Sequence, residues 1–454
     1  MKEPYDKVRA MSALKSGHTL RAALQTRTLV ADGAMGTMIQ AANPSLSDFQ
    51  GHEGCNEILN ITRPDLIAQI HRKYLDAGVD CIETNTFGAN LGNLGEYGIT
   101  ERTYELAKAG AEIAAKVAAE YSPKRWVLGS LGPGTKLPTL LHVDYAQLEN
   151  SYFEAAKGLI EGGSDGLIVE TTQDLLQAKA AVNGSRRAIA SSKKDIVLIA
   201  QVTIETNGTM LLGSEIGAAL NALGALNIDL IGLNCATGPT EMSEHLRYLS
   251  KHTTIPISCM PNAGLPVLED GGARYPLQPK EFSNALVGFV NNYGVRLVGG
   301  CCGTTPEHLL ELVTSIRKLN DQPQTFEREI TPDSGASSIY QYVSFSQDQT
   351  YLSIGERANA NGSKAFRDAL LEENWDKCIE IAKEQIRDGA HFLDLSVDYV
   401  GRNGAKDMRE IASRLATAST LPIVLDSTEP ETLRAGLETL GGRCVINSVN
   451  YEDG

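Results

Sequence analysis

The chain has 454 residues, a net charge of −15, 42 % hydrophobic residues and 6 % aromatics. So acidic a balance speaks against a nucleic-acid partner or an anionic membrane, both of which need a basic face, and no run approaches the roughly 18 apolar residues that span a bilayer. The N-terminal "MKEPYDKVRAMSALKSGHTL" lacks the apolar centre of a secretory signal, so a cytoplasmic protein with a loose leader over 1–24 is expected.

From residue 25 onward, short β-rich runs alternate with helical stretches. In chain order the runs are "TLVADGAM" (28–35), "DCIETNTF" (80–87), "RWVLGSLGP" (125–133), "DGLIVETTQD" (165–174), "IVLIAQVTIE" (196–205), "LIGLNCATGP" (230–239), "PISCMPNAG" (256–264) and "VRLVGGCCG" (295–303). Amphipathic segments such as "RPDLIAQIHRKYLDAG" and "AQLENSYFEAAKGLIEGG" lie between them, the latter ending in helix-stopping glycines. Near-continuous apolar strands alternating with helices indicate a parallel sheet covered on both faces. Eight such units over 25–320 predict a (β/α)8 TIM barrel; the alternative is an open doubly wound sheet.

Residues 321–349 lose this periodicity and read as a linker. A second β/α series follows over 350–454, with "TYLSIGERANANGS", "HFLDLSVD", "LPIVLDSTEP" and "RCVINSVN". Four βα units leave a barrel open, so this region is expected to be the first half of a longer β/α barrel.

In a (β/α)8 barrel, chemistry sits at the C-terminal strand ends. The expected ends carry Asp32 on the first strand, Glu83 and Asn85 on the second, Glu170 on the fourth, Cys235 on the sixth, and Cys301 with Cys302 on the eighth. Adjacent cysteines rarely meet disulfide geometry. Glycines 299, 300 and 303 let the chain leave the pleat there, so both thiols can turn toward Cys235. Three thiolates with a fourth position open suit zinc; the plain alternative is a set of packing cysteines beside a glycine turn. A fourth, incoming thiol would be deprotonated on such a metal, which implies alkyl transfer to sulfur, with hydrolysis by metal-bound water as the competing use. Asp32 and Glu170 suit an ammonium group, and the backbone of "GAMGT" suits a carboxylate: together, an amino-acid thiol. "DGAMGTM" fits neither phosphate-loop pattern.

"DGAMGTMIQ", "ETNTFGAN", "GSLGPGTKLPTL", "IGLNCATGP" and "GGCCGTTPEH", in that order, resemble the homocysteine S-methyltransferase family. "EGCNEILNITRPDLI" and the second region are similar to the N-terminal half of the cobalamin-dependent methionine synthases as a group. The resemblance implies zinc on Cys235, Cys301 and Cys302, homocysteine as the fourth ligand, and Asp32, Ala34, Asn85 and Glu170 as homocysteine contacts. The substrate thiolate would be the nucleophile, with no separate protein nucleophile. "IGERANANGSKAF", "LDLSVD", "LDSTEP" and "VINSVN" resemble a pterin-binding barrel, which implies Glu356, Asn359, Asp394, Asp426 and Asn447 facing the pterin of methyltetrahydrofolate. Ser396 departs from that pattern, where Asn is usual, and the later four strands are missing. Methylcobalamin would be held by a module in cis outside this chain. The alternatives are a stand-alone methyltransferase using betaine or S-methylmethionine, and a zinc protein without catalysis.

Overall fold

The computed structural model describes residues 19–269, 272–321, 327–331 and 333–449. Most of the expected leader, 322–326 and 332 of the expected linker, and the last five residues of the second region lie outside the described residues.

The first unit contains strands β1 (Leu29–Val30), β2 (Cys81–Glu83), β3 (Trp126–Leu131), β4 (Gly166–Thr172), β5 (Val197–Val202), β6 (Leu230–Asn234), β7 (Ile257–Met260), the hairpin β8 (Val267–Glu269) and β9 (Gly272–Arg274), and β10 (Val295–Val298). Eight of them form one sheet in the order β1-β10-β7-β6-β5-β4-β3-β2, with parallel neighbours throughout. This is the near-closed barrel that the alternation predicts. The antiparallel β8–β9 hairpin is an insertion between the seventh and eighth barrel strands that carries no periodic signal.

Strand alternation sorts the side chains. Leu29, Ala31, Cys81, Trp126, Leu128, Ile168, Val197, Ile199, Leu230, Met260 and Leu297 fill the barrel interior. Their neighbours Val30, Ile82, Val127, Val169, Leu198, Leu233, Cys259 and Val298 face the helices. The seam between β1 and β2 is closed partly by side chains. The Asp80 N–H donates to Val30 O at 2.7 Å, and Asp80 Oδ2 accepts the Val30 N–H at 3.0 Å. Nearer the top of the seam, the Asp32 carboxylate accepts the Glu83 N–H, with both oxygens at 3.1 Å.

The end of the expected leader is ordered: a helix over Leu20–Thr26, capped by the Thr19 hydroxyl, joins the first unit. Its Leu20 and Leu24, one turn apart, pack into the interior cluster. Arg21 fastens it to Asp195 and Asp229. The apolar i,i+4 pair is the reason: the open N-terminal mouth of the barrel needs a plug.

The expected linker likewise carries structure, an antiparallel hairpin of β11 (Gly335–Ser337) and β12 (Tyr342–Ser344). It ties both units together. The Glu215 N–H donates to Tyr340 O at 2.9 Å, while the Tyr340 hydroxyl donates to Thr417 O at 2.8 Å. Beyond it, β13 (Ile354–Asn359), β14 (Phe392–Ser396), β15 (Ile423–Asp426) and β16 (Val445–Asn447) form a separate four-stranded parallel sheet in sequence order. These are the four strands expected after the linker. A buried lysine joins the units: Lys179, on the helix Leu175–Ser192, donates to Leu440 O at 2.6 Å, Leu437 O at 3.3 Å and Gly442 O at 3.4 Å. Among the described residues, no helix is long and apolar enough to cross a membrane.

Candidate metal and substrate site

The three cysteines converge at the C-terminal mouth. Their sulfurs all lie within 4.8 Å of one another, with Cys235 Sγ 3.9 Å from Cys302 Sγ. Among the described residues this is the one group of three or more His, Cys, Asp or Glu side chains placed to hold a metal ion.

Two irregular backbones bring them together. Cys235 follows β6, and both it and Ala236 adopt left-handed conformations, with φ of 59° and 54°. That conformation costs a non-glycine residue on the order of 1 kcal/mol, and here it turns the thiol out of the strand's alternation. The Cys235 N–H is retained by Met260 O at 3.2 Å. Cys301 and Cys302 stand past the end of β10, in a turn pinned by Cys301 N–H to Pro261 O at 2.9 Å and Cys302 N–H to Asn262 Oδ1 at 3.0 Å. Of the three flanking glycines, Gly303 takes the left-handed conformation, at φ 77°. Gly300 is required by contact instead, since a Cβ there would stand 2.3 Å from Thr304 Oγ1. Tyr275, just after the β8–β9 hairpin, lies against Gly303, where a Cβ would stand 2.2 Å from the ring Cγ. Its hydroxyl is among the groups that lower the Cys302 thiol.

The sulfurs titrate as one unit. Hydrogen bonds from Cys235 and Cys301 hold Cys302 down to about 3. Cys301 is pushed well up by its bonds to Cys235 and Cys302 and by burial. Cys235 is pushed up to about 12: donation from Cys301 lowers it, and its bond to Cys302 and burial outweigh that. Three sulfurs this close repel one another as thiolates, so the cluster favours a cation among them. A soft divalent ion would displace the remaining protons, and the donor set fits zinc.

The thiols open onto a cavity of about 430 Å3. Its wall includes Gly33–Thr37, Cys55–Glu57, Glu83–Asn85, Tyr97, Ser130 and Glu170, and contains no lysine, arginine or histidine. Glu170 is held rigidly: Ser130 Oγ donates to Oε1 at 2.6 Å, and Asn234 Nδ2 donates to Oε2 at 3.1 Å. Burial raises its carboxyl to about 7, against the opposing bond from Ser130. Ala34 precedes the helix Met35–Ala42, whose first turn has no side-chain cap and forms part of the wall. Such a helix start offers N–H groups to a carboxylate.

The other two expected homocysteine contacts are placed differently. Asp32 is buried behind the wall and binds the Glu83 backbone. Asn85 reaches the wall, but its amide donates to Asn56 O at 2.8 Å and Asn60 Oδ1 at 3.0 Å, which leaves it a brace for the loop. Ser130, Asn234, Asn262 and Tyr275 were not singled out from the sequence, and only the tertiary structure brings them to the site.

In the second sheet, Asn359 Nδ2 donates to Asp394 Oδ2 at 2.8 Å and Asp426 Oδ2 at 3.0 Å. Burial raises both carboxyls; repulsion from Asp426 and Glu356 adds to it at Asp394, and repulsion from Asp398 and Glu356 adds to it at Asp426. Asn447 is exposed on the last strand, paired in register with Asp426. Four of the five expected pterin contacts therefore share one locality, with Asn447 beside them.

A (β/α)8 barrel that presents three converging thiols over an acidic cavity defines a candidate metal centre at a barrel mouth. Comparison with known proteins sharpens this: the chain belongs to the homocysteine S-methyltransferase family, whose model matches residues 29–316. The pterin binding enzyme model matches residues 355–454. The chain is 60 % identical over 434 residues to the methionine synthase of Mycobacterium tuberculosis (strain ATCC 25618 / H37Rv), covering 95 % of this chain and 36 % of that protein. The methionine synthase of Mycobacterium leprae (strain TN) is 59 % identical over 435 residues, with the same coverage. The chain thus spans about a third of the length of these relatives. The Escherichia coli homocysteine methyltransferase MmuM, in oxidized and metallated forms, superposes with TM-score 0.51 at 20 % and 22 % identity. Each match covers 65 % of this chain and 98 % or 99 % of MmuM, and shares the fold.

Proposed function

We propose that the first unit binds homocysteine as a thiolate and methylates it to methionine. In the full protein, methyltetrahydrofolate and a cobalamin module in cis would supply the methyl group. The carrying observation is the convergence of Cys235, Cys301 and Cys302 within 4.8 Å above the cavity. These three residues would hold a zinc ion, which when bound supplies the charge that lets a fourth thiol coordinate as thiolate. Glu170, fixed by Ser130 and Asn234, receives the substrate ammonium. The start of the helix Met35–Ala42 faces the carboxylate. Burial of the wall keeps water from competing for these groups.

The second unit, from about residue 350, would begin the pterin slot. There Glu356, Asn359, Asp394, Asp426 and Asn447 would meet the donor and acceptor row of a pterin edge, a reading supported by the bonds that join Asn359 to Asp394 and Asp426. A stand-alone enzyme using betaine or S-methylmethionine would have no use for this sheet. Eight unpaired cysteines fit a reducing, cytoplasmic setting.

The test is zinc content with and without homocysteine, together with the absorption of cobalt-substituted protein. About one ion per chain and a spectrum that changes when homocysteine is added are expected. A spectrum indifferent to homocysteine would overturn the proposal in favour of a purely structural metal.

A further inference from the structure

β1 and β10 stay paired past their ends: the Ala31 N–H donates to Val298 O at 2.7 Å, and the Gly300 N–H to Asp32 O at 2.9 Å. Beyond that point the two segments divide between two tasks. Cys301 and Cys302 turn toward the metal position, while Ala34 opens the helix Met35–Ala42 beside the cavity. Thr304 lies fully buried between these turns. Its hydroxyl donates to Cys301 O at 2.7 Å and accepts the Ala34 N–H at 3.3 Å. Gly33 and Gly300 make room for it, since a Cβ on them would stand 2.5 Å and 2.3 Å from Thr304 Oγ1.

Tyr74 closes this knot from outside the barrel. It sits in the last turn of the helix Pro64–Asp76 and is fully buried. Its hydroxyl donates to Ala34 O at 3.0 Å and to Thr304 O at 3.1 Å, two carbonyls 270 positions apart in the chain. One phenolic proton thus bridges the turn that carries two metal-ligating cysteines and the turn that starts the helix. Burial pushes the phenol well up, so it stays a donor at any working pH. The ring belongs to the outer core with Ile67, Ile70 and Leu75, a place that phenylalanine would fill equally. Tyr74 is not part of the cavity wall, so whatever it does for a ligand it does through the two turns.

We propose that Tyr74 is a positioning residue: its hydroxyl fixes the span between the metal position and the helix start, and so selects the chain length of the thiol substrate. This rests on the homocysteine reading above, in which the sulfur binds at one end of the span and the carboxylate at the other. A substrate held at both ends reads the distance between them. Cysteine carries the same functional groups on a chain one methylene shorter, so on a fixed span one of its two ends is poorly placed. Without the hydroxyl, the two turns lose their shared donor and can shift against each other.

The experiment uses the whole chain, loaded with cobalt and titrated with homocysteine and with cysteine while the absorption of the metal is followed. Wild-type protein should favour homocysteine by roughly 10- to 200-fold, the usual discrimination for one methylene. Tyr74→Phe keeps the ring and should retain the metal. It should reduce that preference by roughly 2- to 10-fold, the range for one neutral hydrogen bond, chiefly through weaker homocysteine binding. Thr304→Val removes the neighbouring link and should move the ratio the same way, so it decides the matter if Tyr74→Phe fails to fold or to hold metal. A merely structural role would lower the melting temperature, or weaken both thiols by one factor. An unchanged ratio in a metal-loaded variant therefore overturns the proposal, as does a wild-type protein that binds both thiols equally. Loss of metal from both variants also overturns it, because the knot would then serve metal retention alone. A wild-type spectrum that responds to neither thiol is a different result, since it overturns the thiol-binding proposal itself.

Discussion

His71 offers a measurement whose sign and size follow from burial alone. It sits on the helix Pro64–Asp76, fully buried, and neither ring nitrogen has a hydrogen-bond partner. Burial lowers it from 6.5 to about 4. The folded protein therefore holds the ring neutral over a range where the unfolded chain binds a proton. With the folded value depressed, the stability is complete above pH 6.5 and is lost as pH falls through about 4. The whole shift is worth about 3 kcal/mol, of which about 2 kcal/mol is lost by pH 5. Other acids titrate over the same range, so the informative quantity is the difference between wild type and His71→Leu, a replacement of similar volume. Urea midpoints at pH 7.5 and pH 5 give it. At pH 7.5 the variant should be as stable or slightly more so, since two unpaired nitrogens are gone. Toward pH 5 its advantage should grow by about 2 kcal/mol. Parallel pH curves for the two proteins would refute the reasoning, because they would mean that the ring is solvated or charged in the fold.

Replacing Cys235, Cys301 or Cys302 by Ala should abolish zinc retention and methyl transfer. Cys259→Ser should retain both, because Cys259 faces the helices and donates to Met242 Sδ at 3.8 Å; metal analysis of purified variants decides between these outcomes. Gly303→Ala should lower stability by roughly 2 kcal/mol or more and loosen metal binding, through left-handed strain and collision with the Tyr275 ring. A thermal melt with a chelator challenge would expose an innocuous substitution. Lys179→Met leaves two buried carbonyls and one half-buried carbonyl without their donor and should destabilise by about 2–4 kcal/mol. Hydrogen exchange should rise first around 430–445, and uniform protection there would show that the lysine is not the tie between the units.

The eight barrel strands were legible because each is an apolar run with a turn on either side, a pattern that sequence carries locally. The cysteine triad was legible for a related reason: once strand order is known, strand ends share one mouth. Glu83 was half legible. Its presence at the end of β2 was plain, and the alternation from Cys81 points it inward. Its unsatisfied oxygen, however, depends on which donors reach Glu170 instead. The expectation that Asp32 meets substrate came from its position in the "DGAMGT" turn. The structure directs its carboxylate to the seam, because β1 and β2 lack enough paired backbone to close the barrel without it.

Composition and spacing alone determined the architecture, the absence of a membrane-length apolar run, and the identity of the three thiols. Those properties depend on which residue types recur and at what interval. Only the tertiary structure decided that Cys235 and Ala236 turn left-handed, that Tyr275 packs against Gly303, and that Leu20 and Leu24 plug the barrel floor. The same holds for Lys179, which reaches Leu440 across 261 positions of chain. Each of these follows from contacts between segments far apart in sequence, and no local pattern of residues encodes the partner's position.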